Sequence, residues 1–357
     1  MLSFIALWFV AIQVGFGQAA GGAVPTLPAG SGLPTDPRAV FTAAAPFYDF
    51  SDPALKPWHL KANYQLYDDK GAPTEQGTVE YWWASPEVYR STWTRGGSSH
   101  TDWHVAGGKH AYQATGEPLK YFESELREAL LSPLPSDKEL DSPGNTIQRE
   151  TISLGSAKVP CIMVGPVIEH PGLVTRVPMG LFPTYCFDPS APVLRISYAL
   201  GSVATEYNKI VKVQNRYLAR EVVLFQGKQK VFSATVDSIT PLDAADAALT
   251  PPAAIVASAD KEVNLVSGVP QGMLLKKQFP IYPQDAKANR VSGKVVIQAV
   301  IGRDGGVHHL RVISAPWPSL AASALWCVSH WEYKPYLLNG SPVEVKTTIN
   351  VVFTLGN

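Results

Sequence analysis

Trp58-His59-Leu60-Lys61-Ala62-Asn63-Tyr64-Gln65-Leu66 alternates apolar and polar side chains without a break. A period of two puts Trp58, Leu60, Ala62, Tyr64 and Leu66 on one face of a strand, with His59, Lys61, Asn63 and Gln65 on the other. Asp68-Asp69-Lys70-Gly71 supplies a turn. A second strand follows with Val79, Tyr81 and Trp83 on its apolar face until Ser85-Pro86 ends it, and Tyr89, Ser91 and Trp93 begin a third. The pattern resumes at Val193–Tyr198, runs through Tyr217–Phe225, turns at Gln226-Gly227-Lys228 and continues from Val231 to Ile239. These segments predict an antiparallel sheet with one apolar, aromatic-rich face.

One helical signal interrupts them. Phe122, Leu126 and Leu130 recur at helical spacing within Lys120–Leu131, and Pro133 and Pro135 stop the helix. A single short helix covers only part of a large sheet. Either the sheet curls around its own side chains, or it leaves a concave apolar surface able to hold a lipid chain. In the second case Tyr64, Tyr81, Trp83 and Trp93 are the lipid-facing residues.

The chain has 357 residues, 46% of them hydrophobic, which is enough for two domains. Thirty Lys and Arg balance thirty Asp and Glu. That balance excludes a global electrostatic commitment to nucleic acid or anionic lipid. A mean hydropathy of +0.01 with only one long apolar run excludes a polytopic membrane protein. The charge is nevertheless uneven: Gln271–Asn357 holds nine Lys/Arg and four Asp/Glu, so it carries +5 and the remainder −5.

Met1–Gly17 is an uncharged apolar run followed by Gly17-Gln18-Ala19, small residues where a signal peptidase acts. The run is shorter than the ~20 residues of a membrane-spanning helix. A cleaved signal over residues 1–19 is expected, hence a periplasmic chain, with a retained inner-membrane anchor as the alternative. Residues 20–44 then form a disordered leader. In an oxidising compartment Cys161 and Cys186 are expected to pair, closing a loop worth ~3 kcal/mol on the chain-entropy model. Two buried free thiols are the alternative, and Cys327 reads as a core side chain in a helix.

After the first domain (45–240), residues 241–270 are rich in Ala, Pro and Asp and show no sustained period. As coil they span roughly 30 Å and would let two domains move independently. From Gln271 to Asn357 the order is α-β-β-α-β. A short helix over Gln284–Ala288 follows Pro280-Ile281-Tyr282-Pro283. A strand, Gly293–Ile301, turns at Arg303-Asp304-Gly305-Gly306 and returns over Val307–Ser314. Pro318–Trp331 is helical, with Leu320, Ala324, Cys327 and Trp331 on one stripe. Val343, Val345, Thr347, Ile349, Val351, Phe353 and Leu355 form the inner face of a long last strand, and Glu344, Lys346, Thr348, Asn350 and Val352 the outer face. The fold class is therefore α+β: a large antiparallel β-domain followed by a small αββαβ domain. The last strand pairs on one side only unless something covers its other edge, and an open edge is a template for an extended partner. A dimer mate or the linker is the alternative occupant.

Chemistry-bearing motifs are few. His100, Asp102 and His104 share a strand face and could hold a metal loosely. No fourth ligand accompanies them, so a solvated polar face is the expectation. His308 and His309 point to opposite faces. There is no phosphate loop, nucleophile elbow or dinucleotide fingerprint. Neither enzymatic activity nor a cofactor is expected.

Two family resemblances follow from these residues. Asn63–Gly71 with Gly77–Pro86 resembles the opening strands of LolA-like half-barrels, which implies a periplasmic carrier of lipid or lipoprotein over about 45–240. Tyr282-Pro283, Ala286, Gly293-Lys294-Val295, Asp304-Gly305, Val307, Val312, Ser314, Trp331-Glu332-Tyr333-Lys334-Pro335 and Asn339-Gly340-Ser341-Pro342-Val343 resemble the TonB C-terminal domain. That resemblance implies strand addition of an extended segment of an outer-membrane transporter or other envelope protein, in transport across the outer membrane. It places partner binding at Gln278, Pro280, Tyr282, Pro283, Val343, Val345, Lys346, Thr348, Asn350 and Val352. Two features depart from the family pattern: Leu2–Gly17 lacks the polar residues of a motor-coupled anchor, and a β-domain stands in place of a Pro-rich spacer. Energy transduction by this chain alone is accordingly not expected, whereas partner binding is.

Overall fold

The computed structural model describes residues 32–141, 145–154, 157–166, 180, 182–200, 203–255, 258–259, 263–265, 273–338 and 340–355. The apolar run over residues 2–17 and its cleavage position lie outside the described residues.

The first ordered element is a helix, α1 (Pro37–Ala44). Asp36 caps it by accepting from the Ala39 N–H at 2.8 Å, and Pro37 sits where its missing N–H costs nothing. Its Val40, Phe41 and Ala44 are buried, with Phe41 edge-on to Tyr185 and Phe187. The expected leader therefore ends before residue 37, because an apolar stripe behind a good cap folds onto the sheet.

Five strands follow in succession: β1 (Trp58–Tyr67), β2 (Pro73–Ser85), β3 (Val88–Arg95), β4 (Ser98–Val105) and β5 (Lys109–Thr115). The expected single helix is two short ones, α2 (Tyr121–Ser124) and α3 (Leu126–Leu131), followed by a further turn, α4 (Asp137–Leu140). Then come β6 (Asn145–Leu154), β7 (Ala157–Pro166), β8 (Thr184–Phe187), β9 (Leu194–Ala199) and β10 (Val203–Val213). The run ends with β11 (Arg216–Gln226), β12 (Gln229–Pro241) and the two-residue β13 (Ser258–Ala259). All thirteen belong to one antiparallel sheet, in the order β13-β5-β4-β3-β2-β1-β12-β11-β10-β9-β8-β7-β6. Its first and last strands do not meet among the described residues, so it is a half-barrel rather than a closed one. Cys161 and Cys186 face each other across β7 and β8 and form a disulfide, in a small apolar cluster apart from the main core.

The concave face is filled. Trp58, Leu60, Tyr64, Tyr81, Trp83 and Trp93 are buried, as their alternation predicts; Glu123 of α2 reaches Tyr64, while α1 covers the far end of the sheet at β6 and β8. Tyr64 lies across Gly77, its register partner on β2. A Cβ at Gly77 would stand 2.2 Å from the Tyr64 ring and 2.3 Å from the Thr94 carbonyl, so only glycine leaves the ring its path.

The second unit contains β14 (Val263–Leu265), β15 (Leu274–Lys276), α5 (Gln284–Ala288), β16 (Gly293–Ile301), β17 (Val307–Ser314) and α6 (Pro318–Val328). It closes with β18 (Glu332–Tyr333), β19 (Tyr336–Leu338), β20 (Ser341–Val343) and β21 (Val345–Phe353). Its main sheet runs β14-β21-β16-β17, backed by α5 and α6. Within it lies the expected α-β-β-α-β order.

The 241–270 stretch is not a free linker. Its turn at Ala247–Leu249 tucks under the first sheet, where Trp103 donates its indole N–H to the Ala248 carbonyl at 3.2 Å. Ser258–Ala259 joins β5, and Val263–Leu265 joins β21. Nor are the two units spatially independent: one apolar core runs through both, with Phe122 of α2 against Trp326 of α6.

Replacing Gly77 by Ala forces Tyr64 off its seat and is expected to destabilise the fold by about 1–3 kcal/mol. The effect should appear as a lower denaturant midpoint at unchanged slope. An unchanged midpoint would show that Tyr64 does not need this path.

Candidate functional site

The last strand has the burial that its sequence predicts. Val345, Thr347, Ile349, Val351 and Phe353 face the core, and Lys346, Thr348, Asn350 and Val352 face outward, with Val352 61% exposed. On one side β21 pairs antiparallel with β16 along its whole length. On the other it takes β14 in parallel, with Val263, Asn264 and Leu265 opposite Val345, Lys346 and Thr347. Beyond that point no described strand follows β21 along Thr348–Phe353.

The proposed partner-binding residues separate into two groups. Val343 and Val345 are core side chains, 8% and 0% exposed, so only their backbone is open to a partner. Tyr282 packs edge-on against Phe353, which brings the 278–283 segment beside the far end of β21. Its hydroxyl donates to the Val291 carbonyl at 2.5 Å, and Pro283 precedes α5 as its cap. The Gln278 carbonyl accepts the Trp331 indole N–H at 2.8 Å. That bond turns Phe279 and Ile281 outward, 74% and 76% exposed, flanking Pro280.

The Trp331–Pro335 motif locks the hairpin. Tyr333 donates its N–H to the Gly305 carbonyl at 2.9 Å, and a Cβ at Gly305 (φ +87°) would fall 1.9 Å from the Tyr333 carbonyl oxygen. Motif, hairpin and last strand are thus one interlocked unit. Residues 278–355 match the family model of the Gram-negative bacterial TonB protein C-terminal domain. The match covers the TonB-like unit and leaves the first sheet outside it.

The first sheet is similar to a LolA superfamily protein from Nitrosomonas europaea, at 8% identity and a TM-score of 0.36, covering 60% of this chain and 97% of that one. It is also similar to a DUF1329 family protein from Desulfovibrio piger, at 10% identity and a TM-score of 0.37, covering 60% of this chain and 100% of that one. Among curated proteins none matches. No helix among the described residues is long and apolar enough to cross a membrane.

The four residues named for lipid contact, Tyr64, Tyr81, Trp83 and Trp93, do come together, but under cover. Among the described residues a void beside Tyr81 and Trp83 measures about 10 Å³, room for one water. The Tyr64 hydroxyl donates to Glu123 at 2.5 Å. Burial, and next the Glu123 charge, raise its pKa far above the ordinary phenol value. Trp58, Trp83 and Trp93 keep buried indole N–H groups without a hydrogen-bond partner, and the Tyr81 hydroxyl is likewise unpartnered.

Where the TonB-like domain meets the first sheet, a polar cleft of about 150 Å³ opens between Asp102, Tyr112, Arg303, Asp304, His308 and Glu344. The Arg303-Asp304 hairpin tip, which the sequence shows only as a turn, is buried there, each residue 8% exposed. Asp304 accepts from the Leu119 N–H at 2.8 Å across the junction and from Gly306 at 2.9 Å. Arg303 donates to Glu344 at 2.9 Å. No local sequence signal marks a buried turn tip, since its burial depends on what docks against it. The expected grouping of His100 with Asp102 and His104 on a solvated face is corrected. His100 is buried and bonded to the Tyr112 hydroxyl and the Glu117 carbonyl, and His110 from β5 approaches Asp102 instead. His308 and His309 act apart, the first beside Asp304 and the second beside Glu125 and Glu128.

Burial opposes the charge on Asp304, but the hydrogen bond and charge of His308, with the Gly306 and Leu119 N–H groups, hold its pKa down at about 2. Burial likewise opposes the charge on His308, and Asp304 outweighs it, so the His308 pKa rises above 6.5. The Asp304 contribution to stability is present above its unfolded value of 3.8 and is lost as pH falls through about 2. The His308 contribution is present below 6.5 and lost as pH rises through its raised folded value. The stability difference between wild type and His308→Gln should therefore be largest between these limits and shrink on either side. Thermal melts across the pH range test this, and a flat difference would mean that the pair does not hold the turn.

Proposed function

We propose that this chain is a periplasmic TonB-family protein whose C-terminal domain binds an extended segment of an envelope protein by strand addition along β21, in transport across the outer membrane. The observation that carries the reading is the state of that edge. The chain's own β14 lies on it in parallel for three residues, and on that side the stretch after Thr347 has no described strand beside it. A segment that fits there makes main-chain hydrogen bonds along Thr348–Phe353, while Phe279, Ile281 and Val352 offer apolar contact. The net +5 of the domain favours a segment bearing acidic residues.

β14 then acts as an occupant that a longer partner displaces. Adjacent N–H groups of a strand point to opposite sides, so proline at both 264 and 265 removes whichever one faces β21. The Asn264→Pro/Leu265→Pro variant should lose amide protection at Val345–Thr347. It should also bind extended peptides taken from outer-membrane transporters several-fold more tightly than wild type. If those peptides leave exchange along Val343–Leu355 unchanged in both proteins, strand addition is wrong.

A second reading, a carrier of lipid or lipoprotein with the TonB-like unit as adaptor, is favoured by one observation: the unpartnered indole N–H groups of Trp58, Trp83 and Trp93 and the Tyr81 hydroxyl under the helical cover. A ligand with ester or amide oxygens would satisfy them once the cover moves. Uptake of a fluorescent fatty acid that falls in Trp83→Ala and Trp93→Ala supports this reading. Lower stability with uptake absent from wild type removes it.

A further inference from the structure

The hairpin of β4 and β5 puts His104 directly opposite His110, and Asp102 lies two residues before His104 on the same face. Directly opposed residues of an antiparallel pair have Cβ atoms about 4.5–5.5 Å apart, close enough for two imidazoles to share one ligand. One donor atom from each of Asp102, His104 and His110 lies within 4.8 Å of the others. Asp102 Oδ1 is 3.0 Å from His110 Nδ1 and 3.7 Å from His104 Nε2. We propose that these three residues form a binding site for a divalent transition-metal ion of the class that prefers imidazole: zinc, copper or nickel.

The state of His110 is what points to a ligand. It is 5% exposed. Among the described residues its Nε2 has no partner, and its Nδ1 has none beyond the ion pair with Asp102 Oδ1 at 3.0 Å. Buried polar atoms in native proteins are nearly always paired, and leaving them unpaired is costly. An ion seated between one ring nitrogen each of His110 and His104 and Asp102 Oδ1 gives those three atoms a partner, and the other nitrogen of His110 keeps its N–H.

The surroundings prepare the site. The His104 ring lies flat on Tyr89, centroids 4.0 Å apart and planes 14° apart, which fixes its orientation. Arg303 stands 4.0 Å from the other oxygen, Asp102 Oδ2, and leaves Oδ1 to face the imidazoles. Two nitrogens and one carboxylate oxygen suit zinc, copper or nickel. Calcium and magnesium require mostly oxygen donors. Three protein ligands leave a fourth position for water, and Asp102 lines the cleft that would supply it.

The full chain, without a histidine tag, should be titrated calorimetrically with Zn2+ alone. One equivalent should bind with release of protons. His110→Asn and Asp102→Asn should each weaken binding by more than the ~10–100-fold lost when a ligand's hydrogen-bonded neighbour is removed. Glu128→Gln, in the exposed grouping of Glu125, Glu128 and His309, should bind as wild type does. Pulsed EPR of the Cu2+-loaded wild type should count two imidazole nitrogens, a result that does not depend on any variant folding. The proposal is overturned by no stoichiometric Zn2+ uptake, by undiminished uptake in a folded His110→Asn variant, by loss in Glu128→Gln, or by fewer than two imidazoles on copper.

Discussion

A carboxylate with no exposed surface is held against the first sheet, and the position of α2, beside which the second unit docks, depends on it. Glu123 is 0% exposed and accepts hydrogen bonds from the Tyr64 hydroxyl at 2.5 Å, the Arg95 Nε–H at 2.9 Å and the Lys120 N–H at 2.6 Å. Taking such a group out of water costs on the order of several kcal/mol unless its oxygens are matched in position and number. Few placements of α2 do that. Arg95 is held in turn by Glu75 and the Pro118 carbonyl, so the helix is tied to β2, β3 and the approach to α2 together. With three donors matched to its oxygens, the carboxylate favours this placement of α2 over one that would leave it unpaired. From that position Leu119 reaches Asp304 and Phe122 reaches Trp326, so the seat of the second domain is set by a polar contact inside the first.

The same arrangement decides what the half-barrel can do in this state. A carrier needs a concave face whose aromatics are exposed to a ligand, and here the hydroxyl of the central Tyr64 is spent on Glu123. Uptake of a chain would have to move α2 off a buried ion pair, and with it the junction to the second domain. Any ligand that entered the first sheet would therefore disturb the seat of the second through this one element.

The alternation Trp58–Leu66 displays its buried face openly, and so does the last strand, because period-two burial is a local property. The Asp-Gly turn and the Trp331–Pro335 motif are equally legible, since backbone conformation there demands those residues. The His104–His110 pair was within reach too: a hairpin centred on Gly107 sets 104 opposite 110. Residues whose role is set across the fold stayed hidden. Glu123 looks like one more charge on a helix, Arg303-Asp304 like a solvated turn, and Val263-Asn264-Leu265 like part of a coil. Each acquires its role from a surface distant in sequence. The α1 helix is the intermediate case, because Asp36-Pro37 is a start signal that a Gly- and Pro-rich neighbourhood outweighed.

Occupancy of the β21 edge by the chain itself sets a quantitative condition on any partner. A tethered strand acts at an effective concentration of about 1 mM, so a segment present at about 1 μM competes at a disadvantage of roughly 4 kcal/mol. β14 answers with only three paired residues, whereas an extended segment continuing past Thr347 gains ladder bonds along Thr348–Phe353, each adding about 0.5–1.5 kcal/mol. A short segment that merely replaces β14 therefore loses, and a longer one that runs the full strand prevails. Under the proposed strand addition, the internal strand would set a minimum length for the partner, a selectivity that an open edge would not possess.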